Sequence, residues 1–82
     1  MTTALDKDTE TLFAIQKMAY EYGVKEAMVY SKSRLIEITY KEIGQGSILS
    51  NLAIECIGAN IPERSNRIKM IPSDKKLIVE LL

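Results

Sequence analysis

Few residues in this chain have side chains suited to covalent chemistry. It has 82 residues, no histidine and a single cysteine, Cys56. That composition excludes histidine-based triads, Cys/His zinc sites and a disulfide within the chain. A reactive thiol needs a neighbouring base or a positive local field to form thiolate. Cys56 instead lies on an apolar helical stripe, and the expectation is a buried, inert thiol. Asp6, Asp8 and Glu10 are near enough in sequence for acid–base work between carboxylates. They also sit where the start of a helix favours negative charge, and that explanation suffices. No other group of residues has the make-up of a catalytic site. The sequence reads as a non-enzyme with no catalytic, cofactor-binding or metal-ligating residues.

Two segments have the composition of anion sites. Gly44-Gln45-Gly46-Ser47 precedes an apolar run, and free amides at a helix start can hold an anion. It lacks the lysine and spacing of a P-loop and the third glycine of a dinucleotide fingerprint, so a plain turn is the simpler reading. Residues 61–76 are net basic through Arg64, Arg67, Lys69, Lys75 and Lys76, with Glu63 and Asp74 opposing. These five cations are the candidate phosphate contacts for a nucleic acid. No aromatic residue interleaves them, whereas single-strand binders use stacking rings. The whole chain balances 11 basic against 11 acidic residues. A net charge of zero argues against a dedicated polyanion binder.

These residues must be positioned by secondary structure, and the pattern of apolar residues supplies it. Residues 1–7 read as a polar lead-in, free to move. Leu12, Ile15, Ala19 and Tyr22 then recur at helical spacing, with Met18 widening the stripe, which predicts a helix over 8–22. Asp8 or Asp6 caps its start, and Gly23 ends it as a left-handed C′ residue with Val24 packing behind. Ala27-Met28-Val29-Tyr30 is rich in strand formers, and Ser31-Lys32-Ser33 is a short polar turn. Residues 34–41 alternate, with Ile36, Ile38 and Tyr40 inward. Ser47 is placed as the N-cap of a second helix over 47–57, with Leu49, Leu52, Ala53 and Cys56 on its stripe and Gly58 just past its end. Ile48, Ile54 and Ile57 leave a strand open as an alternative there. After a loop over 59–65, residues 67–71 and 76–82 read as strands joined by the turn Pro72-Ser73-Asp74-Lys75. Gly23 and Gly58 hold matching places in two helix–strand–strand halves, although the side chains do not repeat.

The order αββαββ fits one α+β domain spanning 1–82, a two-layer sandwich. Four strands form an antiparallel-type sheet, with both helices on one face. This is a ferredoxin-like topology with its first strand moved to the end. It makes the last strand and the 34–41 strand central. Glu80 assigns its face outward, which leaves Leu77, Val79 and Leu81 inward beside Ile68 and Met70.

The outer face then shows Leu35, Ile71, Ile78 and Leu82 among Glu37, Thr39, Arg67, Lys69 and Glu80. Cross-strand ion pairs among Glu37, Lys69 and Glu80 are expected. Four apolar side chains on an open sheet face make a candidate partner contact. The alternatives are that they are edge residues, or that the N-terminal lead-in covers them. With no signal peptide and no apolar run near the length of a spanning helix, a cytoplasmic protein that does not enter a membrane is expected. The favoured function is a small interaction or regulatory module, working as a homodimer or on another protein. A nucleic-acid-binding module using residues 61–76 is the alternative.

Overall fold

The computed structural model describes residues 7–82. The expectations for the lead-in, including Asp6 as a cap, fall outside them except at Lys7, which opens the first helix. The elements are α1 (Lys7–Tyr22), β1 (Glu26–Tyr30), β2 (Leu35–Thr39), α2 (Gln45–Asn60), a single 3-10 turn (Pro62–Arg64), β3 (Ile68–Pro72) and β4 (Lys76–Leu81). The four strands pair antiparallel in the order β1-β2-β4-β3. β2 and β4 are therefore the central pair, as the permuted topology predicts. This order is consistent with the permuted ferredoxin-like arrangement.

β2 and β4 bury every second residue. Ile36 and Ile38 face Val79 and Leu77 in register, and all four are fully buried. They meet Leu12, Ile15 and Ala19 from α1 and Leu49, Ala53 and Ile57 from α2 in one core. Both helices thus cover the same sheet face. Ile68 and Met70 are only partly buried, because β3 is an edge strand with core on one side.

α1 ends as its residues dictate. Gly23 takes φ +100°, and its N–H bonds to the carbonyl of Tyr20 at 3.1 Å. The N–H of Val24 reaches back to Ala19 at 3.2 Å. This pair of bonds is a Schellman turn, which folds Val24 onto the core. Tyr22, expected inside, is 38% exposed. It lies in the last turn of α1, and the chain reversal at Gly23 buries Val24 instead.

α2 differs from expectation at both ends and in its buried face. It starts at Gln45, with Gly44 as N-cap at φ +96°, and Ser47 lies inside the first turn. The Gln45 side chain is engaged elsewhere, accepting from the amides of Lys41 and Glu42 at 2.8 and 3.1 Å. Gly58 is helical, so its correspondence with Gly23 fails. The buried row is Leu49, Ala53 and Ile57, with Ile61 continuing it past the helix end. Leu52 and Cys56 lie on the flank and are only half-buried. Apolar residues surround this helix, so spacing alone did not select its inner face.

One polar cluster fastens the ends of the domain together. Asp8, expected as a cap, lies within α1 and is nearly buried. Its carboxylate accepts from Arg64 Nε at 3.2 Å and Nη2 at 2.7 Å. Arg34 Nη1 approaches it at 3.6 Å, and Arg64 Nη1 donates to the main-chain oxygen of Leu82. The start of α1, the 3-10 turn and the end of β4 are thereby joined.

Candidate functional site

The sheet face that the described helices leave uncovered is built by parity. Residues alternating with the core set point away from the helices. The cross-strand register arranges them in rows: Met28, Glu37, Ile78 and Ile71, then Tyr30, Leu35, Glu80 and Lys69. Leu82 lies beside Arg67, to whose carbonyl its N–H bonds at 2.8 Å. Leu35 and Ile78, on the central strands, are half-buried. Ile71, Met28 and Tyr30 are 42–44% exposed, and Leu82 is 57% exposed. All four expected contact residues thus share this face. Met28 and Tyr30 extend it, although no alternation in β1 announced them.

Charges on the face are partly neutralised in place. Lys76 Nζ donates to Glu37 Oε2 at 2.8 Å. That hydrogen bond and the carboxylate's charge hold the Lys76 ammonium above its ordinary pKa. Tyr30 Oη stands 3.5 Å from Glu37 Oε1. Lys69 and Glu80 are register partners but form no ion pair. The expected network among Glu37, Lys69 and Glu80 is therefore replaced by Glu37–Lys76, a diagonal pair.

The five basic candidates do not form one free cluster. Arg64 is engaged with Asp8, and Lys76 with Glu37. Arg67 precedes β3 and lines a hollow with Asp8, Glu63 and Arg64, Lys69 is on the outer side of β3, and Lys75 occupies the β3–β4 turn. Cys56 is half-buried rather than fully buried. Burial pushes its thiol pKa up, opposed by a hydrogen bond from Asn60 Nδ2 at 3.5 Å. Among the described residues, no group of three or more His, Cys, Asp or Glu side chains is placed to hold a metal ion. No described helix is long and apolar enough to cross a membrane.

Gly44–Ser47 forms one wall of an open cleft of about 370 Å³, opposite the Pro72–Asp74 turn, with Tyr40 and Ile43 also lining it. Sequence reasoning missed the part played by Tyr40, which it placed only in the core.

α1 caps the edge of β1 at Ala27. The Ala27 N–H donates to Tyr20 Oη at 3.0 Å, and Gln16 Nε2 donates to the Ala27 carbonyl at 2.8 Å. At that residue the edge has no free main-chain group to offer a further strand.

No family model matches the chain, and neither the curated proteins nor the solved structures contain a match.

Proposed function

We propose that this protein is a small, non-enzymatic interaction module that acts through the open face of its sheet, with a second copy of itself as the partner. The observation that carries this reading is the apolar set Leu35, Ile71, Ile78 and Leu82, extended by Met28 and Tyr30. Apolar side chains gathered on one sheet face mark a contact site, whereas the other exposed apolar residues, Phe13, Ile43, Ile48 and Ile54 among them, belong to the helices and to the loop before α2. The charges favour self-association over a strongly charged partner. Glu26, Glu37 and Glu80 on this face oppose Lys69 and Lys76, with Arg67 at its border, where its carbonyl accepts from the Leu82 N–H. A two-fold interface doubles whatever charge a surface carries, so only a balanced face avoids like-charge repulsion there. Burying the face also adds stability that so short a chain obtains only in part from its own core. We place the module in the cytoplasm, where a lone thiol remains reduced.

Light scattering from about 5 to 200 µM protein tests the reading. The expected result is a dimer that Leu35→Glu or Ile78→Glu converts to a folded monomer. A monomer throughout that range, with both variants equally folded, overturns it. Titration of DNA and RNA at low salt addresses the alternative. Tight, steeply salt-dependent binding that requires Arg67, Lys69 and Lys75 replaces the protein-contact reading with a nucleic-acid one.

A further inference from the structure

The cleft at the start of α2 combines a free helix terminus with a buried, unpaired hydroxyl. Gly44 provides no side-chain cap, and the first turn of α2 contains no acidic residue. Its leading amides and the positive end of the helix dipole therefore lack an anionic partner within the helix. Tyr40 lies beneath this turn and is only 8% exposed. Its Oη is buried without a hydrogen-bond partner. Burial pushes the phenol pKa up, so the group remains a proton donor. A Cβ built on Gly46 would lie 2.5 Å from this oxygen. The absence of a side chain there brings the hydroxyl up to the helix terminus.

We propose that this cleft binds the carboxylate of a small organic acid with an apolar body. The carboxylate accepts from the first-turn amides and from Tyr40 Oη, with the Ser47 hydroxyl as a further donor. The apolar body lies against Ile43, which is 92% exposed, and Pro72. Two features select a monoanion over a phosphate dianion. No lysine or arginine lines the cleft, and Asp74 does. Lys25, Lys41 and Lys75 line the adjoining hollow and not the cleft wall, so a dianion in the cleft gains little from them and suffers more from the Asp74 charge. A ligand of this kind also satisfies the Tyr40 hydroxyl, which otherwise remains a buried donor without an acceptor. This site is separate from the open sheet face and does not depend on dimerisation.

The test is an amide-resolved NMR titration of the full chain with hexanoate, hexanol and inorganic phosphate. Hexanoate is expected to shift the Gly46 and Ser47 amides saturably, and the other two to bind about tenfold more weakly or less. Tyr40→Phe removes one donor and is expected to weaken hexanoate about fivefold, with thermal stability equal to or above wild type. Asp74→Asn, in the exposed turn, is expected to strengthen phosphate binding several-fold and to change hexanoate less. Should Tyr40→Phe fail to fold, Ser47→Ala provides the donor deletion. Absence of saturable shifts with hexanoate overturns the proposal. So does phosphate binding tighter than hexanoate, or unchanged hexanoate affinity in the donor-deleted variant.

Discussion

Val79 and Ile78 are neighbours on β4 that face opposite sides of the sheet, and truncating each to alanine separates folding from association. Val79 is fully buried between its register partners Ile36 and Met70. Val79→Ala removes two carbons, about 1.6 kcal/mol of transfer free energy. The unfilled space adds up to about 1 kcal/mol, for a total near 2 kcal/mol. For a domain of this size that lowers Tm by about 8–16 °C. Ile78 is half-buried on the open face, so removing three carbons costs the monomer only about 1 kcal/mol. In a dimer it also weakens association. Urea melts at about 2 and 200 µM distinguish the two effects. For a dimer that unfolds to monomers, the hundredfold change is worth about 2.7 kcal/mol. With a slope of about 2 kcal/mol/M per dimer, the wild-type midpoint rises by about 1.3 M. Val79→Ala is expected to lower the midpoint while keeping most of that rise. Ile78→Ala is expected to reduce the rise itself. If Ile78→Ala is the more damaging at both concentrations, the outer face carries the folding core and the reasoning fails. A wild-type midpoint independent of concentration refutes the dimer while leaving the core assignment intact.

Gly23→Ala is expected to cost about 1 kcal/mol from backbone strain alone, since φ is +100° and a Cβ there meets nothing within 4 Å; an unchanged urea midpoint shows that the Schellman turn does not matter. Asp8→Asn leaves the Arg64 guanidinium partly buried without its carboxylate and is expected to cost about 2 kcal/mol by urea melt, whereas a loss below about 0.5 kcal/mol reduces the cluster to an ordinary surface pair. Cys56, Tyr40 and Lys76 all have raised pKa values in the fold, so the native state holds protons that the unfolded chain releases. Their shared contribution is fully present below the unfolded pKa values and is lost as pH rises from about 8.5 upward; a melting temperature that climbs between pH 8.5 and 11 contradicts that sign. Thiol reagents are expected to label Cys56 in the native protein more slowly than in urea at the same pH, and equal rates refute the protection.

The sheet was more legible in the sequence than the second helix, for a physical reason. β2 and β4 pack on one face only, so their residues alternate, and Glu80 marks the outer side. α2 has apolar residues on every side, including Ile48 and Ile54, which are about half exposed. Its buried row therefore had to be chosen by the partner surface, and no spacing rule separated Ala53 and Ile57 from Leu52 and Cys56. Ala27 and Ile61 are small or isolated apolar residues outside any periodic run, and only tertiary packing places them in the core. Tyr20 on Ala27 and Arg64 on Asp8 leave no local trace, the second pair being 56 residues apart. The open face was visible as far as parity reached. Met28 escaped because all four residues over 27–30 are apolar, and such a run has no readable sides.

Internal pairing decides how the remaining surface is read. As a linear segment, residues 61–76 present five cations and invite a phosphate interpretation. Folding assigns Arg64 to Asp8 and Lys76 to Glu37, and leaves Arg67 beside Arg64, Lys69 on β3 and Lys75 in the β3–β4 turn. A phosphate backbone attracts through several cations acting together, so dividing the group weakens the attraction more than in proportion. The same pairing neutralises Glu37 on the open face, where no described element covers the apolar side chains. For a surface of that composition, the main free-energy gain available is the removal of Leu35, Ile78 and their neighbours from water. In the proposed reading that gain comes from a partner whose surface is also apolar at its centre, and a second copy of this chain would present one.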